Sequence, residues 1–307
     1  MTVIFTIVYL VFVGFQYVLV ERGMMPARPI SNSFSLNEKS AFLARSNIQS
    51  CDVVASGSSM TLYNLSSEII SKAFPGSSYI NISSWGITLG DNLKLLKIFI
   101  KNICKPKAVI ILSSSSDFRG VDVLREGFSD DGFVDILKGD EPVEQFVSVK
   151  DIYYVLTHYK RAERVKSERV GQESLAFDIN GGVSIMENDW SVKSSTWNIN
   201  TLEKVRATND GYKAFVKLVA HLNSLDIRVI LVQTPIREDI YEQSVKVVKA
   251  HSKKMELYSS TQAFENYDLS YFPEITKQQY SDIFHLTGSG ADMVTGRLVD
   301  RIIERQK

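Results

Sequence analysis

Along most of the chain, short apolar runs typical of strands alternate with segments whose apolar residues are spaced as in a helix. Four short apolar runs predict strands: CDVVASG at 51–57, SSYINISS at 77–84, KAVIILSSSSDF at 107–118 and IRVILVQTP at 227–235. Segments with helical spacing lie between them, such as MTLYNLSSEIISKAF at 60–74 and the amphipathic GDNLKLLKIFIKNI at 90–103. This alternation predicts an α/β fold with three α/β/α layers, in which helices cover both faces of a parallel sheet.

The alternation fails between residues 119 and 209. This region contains GFSDDGF, GDEP and FDINGG, and it has no clean strand-helix repeat. We interpret it as a long insertion in a domain that spans 51–307 and that packs over one end of the sheet. Long insertions at such places are more often lids or binding surfaces than linkers.

The first 22 residues predict a membrane anchor. VIFTIVYLVFVGFQYVLV, residues 3–20, carries no charge and is about the minimum length for crossing a bilayer. A secretory signal peptide is the alternative, but the basic start and the small-x-small cleavage site are both missing. A buried core helix is the third reading, and it is disfavoured by uniform hydrophobicity from residue 3. Residues 23–50 read as a membrane-proximal linker that leads into a short helical run at 37–44.

The charge balance argues against a nucleic-acid partner, and the charges beside the apolar run say little about the side of the membrane on which the domain lies. The 35 basic and 35 acidic residues balance, so nothing indicates a nucleic-acid partner. Glu21, Arg22 and Arg28 follow the apolar run and nothing basic precedes it, which slightly favours a cytoplasmic C-terminal side.

Cys51 and Cys104 each precede a predicted strand. If these strands are parallel neighbours the two sulfurs can meet, but their offsets from the strands differ, which argues against a disulfide. Neither cysteine has a second Cys or a His pair nearby, so no metal site is predicted, and no cofactor is expected.

Three predicted strands end in small polar residues. Ser56-Gly57-Ser58-Ser59 follows the first strand, Asn81 to Gly86 the second and Ser113 to Asp117 the third. The carboxyl ends of parallel strands share one edge of the sheet, which is where ligands bind in such folds.

Ser59 and His285 are the candidate reactive residues. Ser59 lies between a glycine turn and a helix start, where the helix dipole favours a nucleophilic oxygen, although a serine there is more often a helix cap. Asp282 precedes His285 by three residues, so a turn can fold its carboxylate onto the imidazole and leave the other ring nitrogen free to accept a proton. Taken alone, such a histidine is more often an ordinary surface or capping residue.

The order of these elements is more specific than any one of them. Gly-x-Ser after strand one, a glycine after strand two, a polar cluster after strand three and Asp-x-x-His before the last helix together resemble the SGNH (GDSL-like) hydrolase superfamily. The resemblance covers residues 51–307 apart from the insertion, with HLTGSGADMVTGRLVDRI similar to the closing segment. It implies a flavodoxin-like layered fold, a catalytic triad of Ser59, Asp282 and His285, and an oxyanion hole formed by Ser59, Gly86 and Ser116. Gly90 competes with Gly86 for the glycine position.

One motif departs from the family. Gly-x-Asn-Asp is expected where this chain has Ser114-Ser115-Ser116-Asp117, so a serine hydroxyl would replace the asparagine amide as oxyanion donor. Loss of such a donor costs about two to three orders of magnitude in rate.

Together with the anchor, the resemblance implies a single-pass membrane protein with its domain outside the cytoplasm. It would transfer or hydrolyse acyl groups on a cell-envelope glycan or exopolysaccharide, in partnership with a membrane-bound O-acyltransferase. The alternative is a non-catalytic module of the same fold that binds a glycan or a partner.

Overall fold

The centre of the molecule is a parallel sheet of five strands in the order β2-β1-β3-β4-β5. The computed structural model of the chain describes residues 26–46, 48–119, 124, 128–138, 149–167, 173–186, 202 and 207–307, with residues 4, 6–11, 14 and 18. The strands are β1 Val53–Ala55, β2 Tyr79–Asn81, β3 Ala108–Ser113, β4 Arg228–Gln233 and β5 Glu265–Asp268. This order is that of flavodoxin-like sheets, and the predicted parallel α/β architecture is confirmed.

Helices cover both faces of the sheet. In chain order they are α1 Phe34–Arg45, α2 Ser59–Asn64, α3 Ser67–Ala73, α4 Leu89–Asn102, α5 Asp130–Leu137, α6 Val149–Ser167, α7 Asn209–Asn223, α8 Glu238–Thr261 and α9 Gly288–Gln306. Side chains alternate along each strand, so Val109 and Ile111 join α4 and α7 in one core, while Ile110 and Leu112 join α3 and α9 in the other.

Two elements differ from the pattern-based prediction. The helix expected over 60–74 is divided in two, because Leu65 is extended and the Ser66 hydroxyl caps α3 by accepting from the Ile69 amide. Strand β5 was not predicted. Its sequence, ENYD, is only partly buried and forms the edge of the sheet, so it has no apolar run to reveal it.

The segment of the insertion around Asn180 and Val183 lies at the carboxyl end of β2. The Asn81 amide donates to the Asn180 carbonyl at 2.7 Å, and the Val183 amide donates to the Leu62 carbonyl at 3.2 Å. Helix α1 packs beside it: the Ser35 hydroxyl lies 2.7 Å from the hydroxyl of Ser84. These contacts place both segments near the edge where the candidate residues were predicted.

Cys51 and Cys104 form a disulfide, so the expectation against one is wrong. Their Cα atoms are 6.0 Å apart, within the usual range for a disulfide. The difference in offset disappears because the chain ahead of β3 turns alongside β1: the amides of Lys107 and Ala108 both donate to the Asp52 carbonyl, at 2.8 and 3.1 Å.

The predicted anchor lies largely outside the described residues. Those described between Ile4 and Val18 are helical, and their large apolar side chains are 44 to 69% exposed. Within the described ranges, no helix combines the length and the apolar character that crossing a bilayer requires.

Candidate active site

Ser59 is held at the carboxyl edge of the sheet by the turn that joins β1 to α2. It is the first residue of α2, and the preceding Ser58 caps the helix by accepting from the Met60 amide at 3.2 Å. Gly57 is required in this turn, because a Cβ there would collide with the Thr61 side chain. Ser58, and not Ser59, therefore caps the helix, and Ser59 keeps a half-buried hydroxyl that faces the site.

The Asp282 carboxylate folds back onto His285, as the spacing predicted. One carboxylate oxygen accepts from the amides of Phe284 and His285, both at 2.7 Å, and the other lies 2.6 Å from His285 Nδ1. Both side chains are buried. Burial opposes ionisation of Asp282, but the adjacent imidazole and these hydrogen bonds outweigh it, so the pKa of Asp282 is lowered.

The structure brings Ser59 and His285 together although 226 positions separate them. His285 Nε2 lies 2.8 Å from Ser59 Oγ. If Nδ1–H donates its hydrogen bond to the carboxylate of Asp282, Nε2 is left as the acceptor for the Ser59 hydroxyl. The three side chains form a continuous chain of hydrogen bonds from a buried anion to a serine oxygen.

Gly86 and Ser116 line the same cavity as Ser59 and His285. This cavity measures about 50 Å³ and opens beside the serine hydroxyl. Gly86 has a positive φ of 67°, which favours glycine, and its amide makes no hydrogen bond within the described part of the chain. Gly90, the competing choice, lies in the first turn of α4 and does not line the cavity.

The Ser116 hydroxyl is held by its neighbour. It lies 2.6 Å from the hydroxyl of Ser114, which also accepts from the Ser116 amide at 3.2 Å. If Ser114 donates in this pair, the Ser116 proton is free to point into the cavity. Arg119 supports the same turn from outside, with its Nε donating to the Ser116 carbonyl at 2.9 Å.

Asp117 also lines the cavity, and the sequence pattern gave it no role. Its carboxylate accepts from the Ser114 amide at 2.8 Å and so closes the turn that carries Ser116. Burial raises the pKa of this carboxyl, although hydrogen bonds from Ser58 and the Ser114 amide partly offset that effect.

Asn64 holds the backbone on both sides of His285, and no sequence signal identified it. Its amide nitrogen donates to the Phe284 carbonyl and its oxygen accepts from the Leu286 amide, both at 2.8 Å. The nitrogen also donates to Thr234 Oγ1 at 2.8 Å. Because Asn64 ends the helix that Ser59 begins, one short helix positions both the nucleophile candidate and the histidine loop.

Tyr63 packs against the imidazole of His285. Its ring meets that of His285 edge to face, with centroids 5.3 Å apart, and it is almost fully buried. The Tyr63 hydroxyl accepts from Trp85 Nε1 and donates to the Ser174 carbonyl at 3.0 Å, which links the insertion to the site. An aromatic residue within an amphipathic helix is indistinguishable from ordinary core in the sequence.

In the portion of the chain that the structure covers, no three His, Cys, Asp or Glu side chains are grouped as ligands. The assignment of the site therefore depends on geometry. No protein-family model matches the chain, and no curated protein is significantly similar to it.

Proposed function

We propose that this chain is a serine-dependent acyltransferase or esterase of the SGNH (GDSL-like) type. The observation that carries the proposal is the hydrogen-bonded series Ser59, His285 and Asp282, with distances of 2.8 and 2.6 Å. Both lie in the range that general-base activation of a serine requires. A five-stranded sheet with these residues at its carboxyl edge is also what the family resemblance implies.

The reaction would proceed in two halves. His285 Nε2 takes the proton of Ser59 as Oγ bonds to the ester carbonyl carbon, and the negative oxygen is stabilised by the amides of Ser59 and Gly86 and the hydroxyl of Ser116. Collapse breaks the bond to the alcohol, which leaves with the proton from His285. A glycan hydroxyl or water then loses its proton to His285 as its oxygen bonds to the acyl carbon, and collapse breaks the bond to Ser59 Oγ, which takes the proton back from His285.

We propose that a cavity of about 650 Å³, which borders Tyr63 but none of the three triad residues, holds the non-reacting part of a glycan substrate. Its size is that of a small-molecule or sugar site. Hydroxyl, amide and carboxylate groups, which pair readily with sugar hydroxyls, line much of it: Ser66, Ser67, Ser71, Asn180, Ser184, Glu68, Asp178 and Asp292.

We further propose that residues 1–22 anchor the protein and that the domain lies outside the cytoplasm. The disulfide supports this placement, because such bonds persist mainly in oxidising compartments. The exposed apolar residues between Ile4 and Val18 support the anchor. A membrane-bound O-acyltransferase is the partner that would supply the acyl group.

The competing proposal is a non-catalytic binding module of the same fold. The observation that favours it is Ser116, a serine where an asparagine amide would be expected. Against it stands the complete series of Ser59, His285 and Asp282, since a module that only binds has no chemical need for all three.

Labelling by a fluorophosphonate probe separates the two proposals, because the probe reacts only with an activated serine beside an oxyanion site. We expect the wild type to be labelled and Ser59→Ala to lose labelling completely. His285→Ala should slow labelling by several orders of magnitude, and Asp282→Asn by about three to four orders, because an amide would present its N–H to Nδ1.

Ser58→Ala measures what the loss of the helix cap alone does, since it changes the neighbouring serine and should keep most of the labelling that Ser59→Ala loses. A wild type that resists the probe, together with a Ser59→Ala protein that still supports polymer modification in cells, would establish the binding module instead.

A further inference from the structure

A second, much smaller cavity lies behind the turn that carries Ser116. It measures about 10 Å³ and lies between the carboxyl ends of β3 and β4 and the helix α8. Every residue that lines it is buried. None of the triad residues borders it.

Three polar atoms that border this chamber have no hydrogen-bond partner among the described residues. They are Ser113 Oγ, Ser115 Oγ and His251 Nε2, each with almost no accessible surface. The other polar side chains around it are hydrogen-bonded elsewhere: Ser114 to Ser116, Gln233 to Ser252 and Asn266, Thr234 to Asn64, and Ser270 to Asp268. The unsatisfied groups therefore converge on one place.

Buried polar groups are seldom left unsatisfied, because losing their bonds to water is unfavourable when nothing replaces them. A volume of about 10 to 15 Å³ accommodates one water molecule, and a buried water typically makes three hydrogen bonds. The size of the chamber and the number of unsatisfied atoms both match a single water.

The surroundings favour a neutral ligand over an ion. None of the described residues that line the chamber has a charged side chain. His251 is itself neutral, since burial lowers its pKa to about 4, and its Nδ1 is already engaged at 2.8 Å with the Tyr212 hydroxyl. Nε2 is thus free to bond a water.

We propose that this chamber binds one water molecule, which joins Ser113, Ser115 and His251 and fixes the turn from Ser114 to Ser116. The water then acts as a positioning element for the oxyanion donor Ser116. The site for water stands on the unsatisfied atoms alone, whereas its effect on reaction rate rests on the proposed function. His251 would take part indirectly, from behind the turn, where its ring also packs edge to face on Phe118 at 4.7 Å.

A high-resolution crystal structure of the wild type tests the site. We expect density for one water within about 2.6 to 3.2 Å of the three atoms. Ser115→Ala and His251→Phe each remove one of these atoms, and both should lose the water and shift Ser116. Tyr212→Phe is the matched control, because it removes the bond on the other side of His251 and should keep the water.

Fluorophosphonate labelling tests the positioning role. Ser115→Ala and His251→Phe should label about three- to tenfold more slowly, as expected for the loss of one hydrogen bond, while Tyr212→Phe stays within about twofold of the wild type. His251→Gln, which restores a polar group at the chamber, should recover most of the rate.

The outcomes of the two measurements are separable. A wild type that is not labelled overturns the proposed function but leaves the crystallographic test intact. A chamber without density, or with density for a metal ion, overturns the water site. An unmoved Ser116 and an unchanged labelling rate in Ser115→Ala and His251→Phe would overturn the positioning role. The wild-type structure decides the site even if a variant does not fold.

Discussion

In the proposed mechanism, the strength of the oxyanion site depends on Ser116, because a hydroxyl replaces the amide that the family resemblance implies. Its side chain is held by Ser114 and faces the cavity beside Ser59. We expect Ser116→Ala to slow fluorophosphonate labelling by about ten- to a hundredfold, somewhat less than the loss of a rigid donor. Ser116→Asn should label faster than the wild type, because an amide carries a fixed donor into the same cavity.

Both expectations are tested by measuring the labelling rates of Ser116→Ala, Ser116→Asn and the wild type at one probe concentration. Equal labelling of the wild type and Ser116→Ala would show that Ser116 donates nothing and that Gly86 and Ser59 suffice. A Ser116→Asn rate no higher than the wild type would show that another donor already fills the position.

Lys39 is a second residue whose chemistry is unusual for its surroundings. It is fully buried on α1 and donates to the carbonyls of Asn81 and Gly181, with Nζ 4.2 Å from the centre of the Phe177 ring. Burial lowers the pKa of Lys39 from 10.5 to about 7, although the charge of Asp178 acts in the opposite direction. A residue that ties α1, β2 and the insertion together is therefore partly neutral near physiological pH.

This pKa predicts how stability depends on pH. Between pH 7 and about 10.5 the unfolded chain holds a proton on Lys39 that the folded protein has lost, so the free energy of unfolding rises with pH. Below pH 7 both states hold it and the dependence disappears. Relative to Lys39→Met, the wild type should gain about 1.4 kcal/mol per pH unit over this window.

Guanidinium unfolding at several pH values between 6 and 10 measures the difference. Lys213→Met removes an exposed lysine and should show no such dependence. A constant difference between the wild type and Lys39→Met across the range would contradict the lowered pKa.

At the scale of elements, the short helix α2 organises the site. Its first residue is Ser59, its third, Thr61, exchanges hydrogen bonds with the amide and carbonyl of Leu112 at 3.0 and 2.9 Å, and its last, Asn64, holds the His285 loop. A helix of six residues would not be stable alone, so these side-chain bonds to the backbone of neighbouring elements stabilise it.

Replacing Asn64 therefore has a large expected effect. Asn64→Leu leaves the Phe284 carbonyl and the Leu286 amide buried without partners, which should cost about 2 to 4 kcal/mol of unfolding free energy and slow labelling by at least tenfold. Asn102→Leu, which loses one bond to the Ile98 carbonyl near the end of α4, is the control and should cost about 1 kcal/mol or less. Equal losses in the two variants would show that Asn64 has no special role.

The sequence predicted those elements that are determined by residues close together in the chain. Strands β1 to β4 are apolar runs, and the last helix, expected after the Asp-x-x-His motif, is found at Gly288–Gln306 with Thr287 as its cap. Edge strand β5 lacks such a run, and the division between α2 and α3 depends on one capping serine, Ser66. Spacing alone could not reveal either.

The same distinction applies to the site. Asp282 and His285 are close in sequence, so their contact is a local prediction, and the turn at Ser59 has a glycine signal. Asn64 and Tyr63 act through contacts with residues more than 100 positions away, and their residue types are ordinary in a helix. The disulfide was missed for a related reason, since it depends on the turn ahead of β3.

At the scale of the whole molecule, the disulfide lies at the amino ends of the parallel strands and the candidate site lies at their carboxyl ends. Cys51 and Cys104 precede β1 and β3, whereas Ser59 and Ser116 follow them. Stability and site geometry should therefore respond differently to reduction. Cys51→Ser with Cys104→Ser should lower the free energy of unfolding by about 2 to 4 kcal/mol, because the bond closes a long loop in the unfolded chain.

The labelling rate of the folded double variant should stay within about twofold of the wild type. Chemical unfolding and fluorophosphonate labelling on the same samples measure the two effects. A large loss of labelling at temperatures where the variant is still folded would show that the two edges are coupled.

Placement of the whole molecule relative to the membrane can be tested with fusions at Lys307. The proposed topology predicts no signal from a reporter that is active only in the cytoplasm, and a clear signal from one active only outside it. The weak charge bias of Arg22 and Arg28 predicts the reverse. A strong cytoplasmic signal would therefore overturn the proposed location.

The distance of 226 positions between Ser59 and His285 also sets an order of events during synthesis. At about 5 to 20 residues per second, the ribosome releases Ser59 roughly 10 to 45 s before its base. Throughout that interval the serine has only solvent to accept its proton. If Ser59 is the nucleophile proposed above, a nascent or truncated chain that ends before His285 would lack the base that activates it.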